Sequence, residues 1–295
     1  METTGQVLTD ETAGTLVLAD RHVRRLGFGA MRISGARDAA GVRDRRTAVE
    51  LVRGVRTRGV QFFDTANIYG YGQSEEIIAE ALAPYDDELL IATKAGYRPG
   101  KIAPGETSLP PLGRPEHIRE ECEHSLRRLG VDCIELYIVH VPDPEVPYAD
   151  TVGAFAELQQ AGKVRHIGIS NVTLEELRTA QEIVSVVSVQ NRYSVGDRAS
   201  EPVLTACEEQ GIAFLPWSPL ASSDGPVGVA LAEIAAARGV LVQQVALAWL
   251  LQRSPVILPI PGTSQLRHAS ENIDAAWLEL SADELARLEA GRRVG

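Results

Sequence analysis

Short apolar runs alternate with helix-forming stretches along almost the whole chain. Strict alternation of strands and helices over this length predicts a parallel sheet covered by helices. Eight such units, with polar groups at the strand ends, predict an α/β fold that closes as a (β/α)8 TIM barrel. No G-x-G-x-x-G segment lies between a strand and a helix, which argues against an ordinary dinucleotide-binding fold. The predicted strands are Arg25–Met31, Val60–Phe63, Leu89–Lys94, Cys133–His140, Val164–Ser170, Ser185–Asn191, Ile212–Trp217 and Pro255–Ile260.

The N-terminal region precedes the first barrel strand. We expect residues 1–13 to be a flexible tail, and Thr15–Leu18 with His22–Arg24 predict a short β-hairpin. Length alone would allow about two domains, but barrels commonly reach about 250 residues or more as one domain. Residues 14–295 are therefore predicted to be a single barrel domain. The predicted helices are 47–58, 74–82, 115–129, 147–160, 174–182, 201–210, 230–238, 242–252, 265–273 and 282–290.

Composition excludes several classes of function. The formal net charge of -11 argues against non-specific binding to nucleic acid or to an anionic membrane surface. No apolar run is long enough to span a bilayer, and the N-terminus is too polar for a signal peptide. Cys122, Cys133 and Cys207 are odd in number and lack metal-ligand spacing, which favours reduced thiols. We therefore expect a cytoplasmic protein that acts on a small molecule.

Four titratable side chains stand at or just after the ends of three successive predicted strands. Asp64 follows the second strand, and Tyr69 lies five residues later; Lys94 ends the third strand and His140 ends the fourth. Catalytic side chains of a barrel come from strand ends and the loops after them. Only three of the 29 Lys and Arg residues are lysine, so a lysine at this place is unlike the general surface charge.

These four groups predict an acid–base site. The ordinary pKa of tyrosine is about 10, and a nearby ammonium favours the phenolate and lowers that pKa. Asp64 would keep Lys94 charged, and His140 would orient a carbonyl group that accepts the proton of Tyr69. The plain alternative is a buried Lys94–Asp64 ion pair with Tyr69 as packing.

Two other enzymatic interpretations use the same residues. A Schiff-base role for Lys94 needs a lowered lysine pKa, which the adjacent Asp64 opposes. A metal-dependent hydrolase built on Asp64 and His140 fails on the number of ligands. We therefore predict no metal.

The C-terminal half carries polar groups at its strand ends instead of further acids and bases. Ser170–Asn171 and Gln190–Asn191 could hold a carboxamide, and Trp217, before Ser218–Leu220, could stack on a flat ring. Pro261–Gln265 follows the last strand and opens a helix, a position that often binds phosphate in barrels. Each of these features taken singly is more often a cap or a turn.

One ordered set of segments spans about residues 22–290. The segments are Gly27-Phe-Gly29, Asp64-Thr-Ala-x-x-Tyr69-Gly, Ser74-Glu-Glu, Thr93-Lys94, Leu126-Arg-Arg-Leu-Gly130, Gly162-Lys-Val-Arg-x-Ile-Gly-x-Ser-Asn171, Val189-Gln-Asn, Trp217-Ser-Pro-Leu220, Ile260-Pro-Gly-Thr-Ser264 and Glu271-Asn272. Any one of them is common, but the full set in this order is specific. With these segments the chain resembles the aldo-keto reductase superfamily. Within it, the chain is similar to bacterial members with an Ile-Pro-Gly-Thr-Ser phosphate loop, some of which are called pyridoxal reductases.

The resemblance implies a barrel that binds NADP(H) across its C-terminal mouth and reduces a small carbonyl compound. It implies that Tyr69 donates the proton, that Lys94 and Asp64 tune it, and that His140 orients the carbonyl. The implied substrate pocket is lined by Met31, Tyr69, Tyr97, His140 and Trp217. The implied cofactor-binding residues are Gly29, Ala30, Met31, Asp64, Ser170, Asn171, Gln190, Trp217, Ser218, Pro219, Leu220, Ala221, Ile260, Gly262, Thr263, Ser264, Gln265, Arg267, His268, Glu271 and Asn272.

The phosphate loop departs from many relatives. Where they place lysine or arginine against the 2′-phosphate, this chain has Gln265 and His268, with Arg267 between them. We therefore expect NADP(H) to be favoured and NAD(H) to be usable. A non-catalytic NADP(H)-binding sensor or regulatory subunit on the same barrel is the alternative function, although the four intact groups argue against it. The sequence predicts neither the substrate nor the oligomeric state.

Overall fold

The N-terminal region lies against one end of a barrel. The computed structural model describes residues 5–37, 40–42, 44–100, 109–220 and 225–290. A short helix, α1 (Asp10–Ala13), leads into strands β1 (Thr15–Leu18) and β2 (Arg21–Arg24). The two strands pair antiparallel with Leu16 opposite Val23, which confirms the predicted hairpin.

Residues 5–13, which the sequence places in a flexible tail, pack against the barrel. Leu8 is 1% exposed, and its N–H donates to the Arg58 carbonyl at 2.9 Å. The buried Arg58 guanidinium donates in turn to the Gln6 carbonyl at 2.7 Å. Sequence reasoning could not supply these contacts, because they come from a residue far along the chain. Residues 1–4 lie outside the described part of the structure.

Seven parallel strands follow, and each pairs with the next one in chain order. Most bounds agree with the sequence prediction to within a few residues. The first and last strands are shorter than predicted; the first ends where the chain enters a 3-10 helix at Ala30–Gly35. The strands are β3 (Phe28–Gly29), β4 (Phe62–Asp64), β5 (Leu90–Ala95), β6 (Ile134–Val139), β7 (Val164–Ser170), β8 (Val186–Gln190) and β9 (Ala213–Phe214).

Helices connect the strands and cover the outside of the barrel. In the fourth helix of the chain, Pro115 occupies the first turn, and Gly130 ends the helix in the left-handed conformation, as its sequence predicts. Ile118 and Leu126 of this helix are buried against the strands. The helices after α1 are α2 (Arg45–Thr57), α3 (Gln73–Leu82), α4 (Pro115–Leu129), α5 (Tyr148–Gln160), α6 (Leu174–Gln181), α7 (Glu201–Gln210), α8 (Gly225–Arg238), α9 (Val242–Arg253), α10 (Leu266–Ile273) and α11 (Ala282–Ala290), with a 3-10 turn at Asp274–Trp277.

The barrel closes through residues 256–261, where an eighth strand was predicted. Phe214 N–H donates to the Val256 carbonyl at 2.8 Å, and Leu258 N–H donates to the Phe214 carbonyl at 2.9 Å. On the other side, Gly27 N–H donates to the Pro259 carbonyl at 2.9 Å. The segment bonds both edges of the curled sheet, so the predicted (β/α)8 barrel is confirmed. Residues 256–261 do not form a regular strand, because the prolines in this segment have no backbone N–H to donate to the hydrogen-bond ladder of a sheet.

One end of the barrel interior is apolar. Leu16, Leu18 and Val23 of the hairpin belong to the same buried cluster as Phe62 and Leu90 of the barrel strands. The hairpin therefore covers this end, and the strands finish at the opposite end.

Three further features of the described ranges bear on function. No single helix among them is long and apolar enough to cross a bilayer; α8 and α9 meet that test only as a pair bent by 103°. The same ranges contain no group of three or more His, Cys, Asp or Glu side chains that could hold a metal ion. The three cysteines are free, and Cys122 and Cys207 are buried.

Gly29 of β3 lies directly against the closing segment. A Cβ at this position would lie 2.7 Å from the Ile260 carbonyl oxygen, a backbone atom that cannot swing aside. Gly29→Ala should therefore lower the free energy of unfolding by about 1–3 kcal/mol in urea denaturation. Gly35→Ala is the matched control, because a Cβ there meets nothing within 4 Å. Equal losses of stability in the two variants would contradict this account of the closure.

Candidate active site

A cavity of about 1090 Å³ opens at the carboxyl ends of the strands. Three of the four predicted acid–base groups, Asp64, Tyr69 and His140, line it. Lys94 lies directly beneath them and is 0% exposed. Strands β4, β5 and β6 end side by side in the sheet, which is why residues far apart in sequence meet here.

Three hydrogen bonds hold the ammonium group of Lys94. Its Nζ donates to Asp64 Oδ2 at 2.8 Å, to the Thr65 carbonyl at 2.7 Å and, more weakly, to Tyr69 Oη at 3.4 Å. These bonds use all three donors of the ammonium. The second oxygen of Asp64 accepts from Gln190 Nε2 at 2.7 Å. Both charges are thus fully hydrogen-bonded, as burial of an ion pair requires.

Burial dominates the pKa of Tyr69. Burial raises this pKa, Lys94 lowers it and Asp64 raises it, so that it lies above the ordinary 10.0. Lys94 lowers the pKa of Tyr69 as the sequence predicted, but the overall shift is upward because the cost of burying a phenolate is larger. Tyr69 therefore keeps its proton at neutral pH.

Lys94 keeps its positive charge although its side chain is completely buried. Burial lowers the pKa of Lys94, but Asp64 and Tyr69 together raise it more, so the pKa lies above its ordinary value. A Schiff-base lysine needs the opposite shift. The site thus pairs a permanent ammonium with a protonated phenol.

His140 is a neutral ring with unused hydrogen-bonding capacity. Burial, and then the charge of Lys94, holds the pKa of His140 well below 6.5. Its ring centroid lies 6.0 Å from that of Tyr69 and 4.7 Å from that of Tyr97, nearly perpendicular to both. Nδ1 is buried and has no partner among the described residues. His140 as a whole lines the cavity, so a molecule bound there can contact the ring.

A polar network joins the ends of β6, β7 and β8. Ser170 Oγ donates to the Gln190 carbonyl at 2.7 Å, and Asn171 Nδ2 donates to the His140 carbonyl at 2.9 Å and to Ser170 Oγ at 3.1 Å. Trp217 Nε1 donates to Asn171 Oδ1 at 3.0 Å. The network fixes the indole of Trp217 at the cavity wall. One N–H of the Gln190 amide remains for a ligand.

The cavity continues from Trp217 toward the N-terminal end of α10. Gln265, just before this helix, donates its N–H to Thr263 Oγ1 at 3.1 Å. Arg267 extends into solvent with a side chain that is 79% exposed, and its Nε lies 3.2 Å from Glu271 Oε1. A groove with an indole at one end and a helix N-terminus with an arginine at the other suits an extended ligand that carries a ring and phosphate.

The structure brings together nearly all of the predicted site residues. Every predicted cofactor and substrate-pocket residue lines the cavity except Ala30 and Ala221. Ala30 is 0% exposed, and its carbonyl accepts from Ser74 Oγ at 3.0 Å. Ala221 lies outside the described residues. The binding roles of the residues that do line the cavity stay predictions.

Sequence reasoning missed several residues of the cavity wall. Ile68 could have been inferred, because it precedes Tyr69 in the same loop. No sequence pattern indicated Leu241 and Gln243, because they reach the cavity wall only through the packing of α9 against α10. In that packing, Gln244 Nε2 donates to the Glu271 carbonyl at 3.0 Å. The other residues that were missed are Arg32 and Leu109.

Known proteins resemble the chain over most of its length. The sequence profile of the Aldo/keto reductase family matches residues 25–224 and 227–292. The chain is 40% identical over 278 residues to an uncharacterized oxidoreductase of Schizosaccharomyces pombe, covering 94% of this chain and 89% of that protein. It is 39% identical over 284 residues to pyridoxine 4-dehydrogenase of Escherichia coli, covering 94% and 98%. An aldo/keto reductase from Klebsiella pneumoniae, solved with NADP and acetate, superimposes with a TM-score of 0.78 at 26% identity, covering 94% of this chain and 95% of that one.

The buried histidine predicts a pH dependence of stability. Because the pKa of His140 is depressed in the folded state, the unfolded chain binds more protons once the pH falls below about 6.5. The resulting destabilisation of the folded state is absent above about pH 6.5. Below that pH it grows by up to about 1.4 kcal/mol for each unit by which the pH falls. Between about pH 7 and pH 5, wild type should lose more free energy of unfolding than His140→Asn in urea denaturation. The exposed His22→Asn should follow wild type. An equal loss in His140→Asn and wild type would rule out this contribution.

Proposed function

Because this chain belongs to the aldo/keto reductase family and is therefore an oxidoreductase, we propose that it reversibly transfers a hydride between NADP(H) and a small aldehyde or ketone. The observation that carries this proposal is the buried Lys94 ammonium, bonded to both Asp64 and the hydroxyl of Tyr69 at the cavity floor. A phenol beside a permanent positive charge suits proton donation to an oxygen that becomes negative.

The groove fits a dinucleotide by the chemistry of its donors. Gln190 and the neighbouring strand ends offer amide and hydroxyl groups to a carboxamide, and Trp217 offers a flat face to its ring. The N-terminal end of α10 and Arg267 favour phosphate at the far end. Further support comes from aldo/keto reductase structures of Klebsiella pneumoniae solved with NADP and with NADPH. When bound, the nicotinamide supplies or accepts the hydride.

Tyr69 gives the proton in the direction of reduction. Its raised pKa keeps the phenol protonated at neutral pH, so the acid is in the required form. As the proton leaves, the Lys94 ammonium stabilises the phenolate across a bond that is already in place. Asp64 keeps that ammonium charged and oriented. The reverse reaction needs the phenolate and is therefore favoured at high pH.

His140 orients the carbonyl group of the substrate. A neutral imidazole can donate one hydrogen bond to the carbonyl oxygen without adding a second positive charge beside Lys94. The ring of Tyr97 packs against His140 and limits its rotation. Two groups, Tyr69 and His140, would then share the same oxygen.

The substrate end of the cavity is half apolar. Met31, Tyr97 and Trp217 line it together with the hydroxyl of Tyr69. An aromatic aldehyde fits such walls, and a 39% identical relative is named pyridoxine 4-dehydrogenase. Pyridoxal in the reductive direction and pyridoxine in the oxidative direction are therefore the first substrates to test, beside an activated generic aldehyde.

Removal of the Tyr69 hydroxyl tests the proposed role of Tyr69 as the proton donor. Tyr69→Phe should lower kcat by about 10²-fold or more, while the dissociation constant of NADPH stays near that of wild type. NADPH oxidation with an activated aldehyde and NADPH titration of the purified variant measure the two quantities. Tyr71→Phe is the matched control, because this exposed tyrosine lies two residues away and does not line the cavity.

The outcomes separate the candidate functions. If Tyr69→Phe turns over within about threefold of wild type, Tyr69 is not the proton donor. If wild type binds NADPH but oxidises it with none of the carbonyl compounds, the sensor alternative is favoured. Trapping of a covalent adduct on Lys94 with borohydride would instead favour the Schiff-base interpretation.

Arg267 should contribute to the choice of cofactor. NADPH differs from NADH by a 2′-phosphate, which a guanidinium can bind with charge-assisted hydrogen bonds. Because Arg267 is largely exposed and paired with Glu271, Arg267→Ala should raise the dissociation constant of NADPH by only about three- to tenfold and leave that of NADH unchanged. Dissociation constants at one fixed salt concentration measure this. Arg45→Ala, a surface arginine paired with Glu76 and Glu80, is the control. An unchanged ratio of the two constants would place the 2′-phosphate elsewhere.

A further inference from the structure

Tyr69 stands on the connection 65–72 between β4 and α3. The first part of this connection is bonded to β5: Thr65 N–H donates to the Ala92 carbonyl at 2.8 Å, and Asn67 N–H donates to the Lys94 carbonyl at 3.2 Å. After Asn67 the described backbone bonds of this connection run within it and to the start of α3, as in Tyr69 N–H to the Ala66 carbonyl at 3.1 Å. Asn67 is thus the last point at which the sheet holds the backbone before the tyrosine.

The side chain of Asn67 makes a second attachment behind the sheet. It is buried, and its Nδ2 donates to Glu121 Oε2 of α4 at 2.7 Å. The other oxygen of Glu121 lies 3.2 Å from His124 Nδ1. Both oxygens of the carboxylate are therefore engaged, which fixes its orientation.

A glutamate at this place calls for a physical reason. Glu121 is 6% exposed and lies on the inward face of α4 with Ile118 and Cys122, where an apolar side chain would cost nothing. A buried carboxylate is unfavourable unless it accepts strong hydrogen bonds. Its short bond to Asn67 links the helix to the loop that carries Tyr69.

We propose that Glu121 and Asn67 are positioning residues that hold the Tyr69 hydroxyl against Lys94. The bond ties the loop to a helix that is packed along its whole length, so the tyrosine cannot drift from the ammonium. Neither residue lines the cavity, so neither should contribute to binding of cofactor or substrate. A misplacement of a reacting group by about 1 Å can lower turnover on the order of 10²-fold. This inference rests on the proposed function of Tyr69 as the acid.

The test is a mutant cycle on the full-length protein. Asn67→Ala and Glu121→Ala should each lower kcat by about 10- to 100-fold, with the dissociation constant of NADPH within about twofold of wild type. The double variant should be no slower than the slower single variant, because both remove the same bond. In the Tyr69→Phe background, Asn67→Ala should cause no further loss, since the group that it positions is already gone.

Two further variants separate positioning from general stability. Glu121→Gln keeps an acceptor oxygen for Asn67 and should restore kcat to within about threefold of wild type. Tyr85→Phe removes the bond from Tyr85 Oη to the Leu129 carbonyl at 2.7 Å at the far end of α4, and should lower Tm without changing kcat. This control shows what loss of stability alone does to the assay.

Several outcomes would overturn the proposal. The first is an active wild type whose Asn67→Ala variant keeps full kcat, and the second is a double variant whose loss of kcat is the product of the two single losses. The third is a further loss of kcat from Asn67→Ala in the Tyr69→Phe background. The fourth is a Glu121→Gln variant as slow as Glu121→Ala. If Asn67→Ala does not fold, the comparison of Glu121→Gln with Glu121→Ala decides alone. A wild type that reduces no carbonyl compound would instead refute the proposed function, so the two failures are distinguishable.

Discussion

The buried ion pair between Lys94 and Asp64 is the interaction on which the site depends. Two charges taken out of water are costly unless every donor and acceptor finds a partner. Here the ammonium meets a carboxylate, a carbonyl and a phenol, and the carboxylate also accepts from Gln190. The pair and its partners come from β4, β5 and β8 and from the loop after β4. The pair is therefore stable only if the barrel brings these ends together.

The barrel separates an apolar end from a polar end. The hairpin covers the first with leucine and valine side chains, which belong to the same buried cluster as residues of the barrel strands. Burial then sets the charge of the remaining groups: it raises the pKa of Tyr69 and lowers the pKa of His140. At neutral pH the site consists of a compensated ion pair and two neutral donors. Such a site can stabilise negative charge on an oxygen without carrying net charge beforehand.

The helices outside the sheet also act on the site. Along β5, Lys94 faces the barrel interior, whereas Thr93 points outward and donates to Glu75 of α3 at 2.6 Å. Glu75 is paired with Arg128 of α4, and Glu121 of the same helix receives the amide of Asn67. Two buried acids thus connect α3, α4 and the loop of Tyr69 from behind. The face of the barrel that lines the cavity is held by polar contacts on the opposite side of its own strands.

The sequence alone determined the barrel and the identity of the four central groups. Alternation of strands and helices requires a parallel sheet, and such a sheet carries Asp64, Lys94 and His140 to one rim whatever the details of packing. Tertiary structure decided what depends on burial and distance. It set the overall direction of the Tyr69 pKa shift, because desolvation outweighs one neighbouring charge. It made the predicted eighth strand a closing segment that contains proline, and it placed Leu8 against Arg58. It also joined Asn67 of the loop after β4 to Glu121 of α4. Local patterns record which face of an element is apolar, but not which distant atoms meet there.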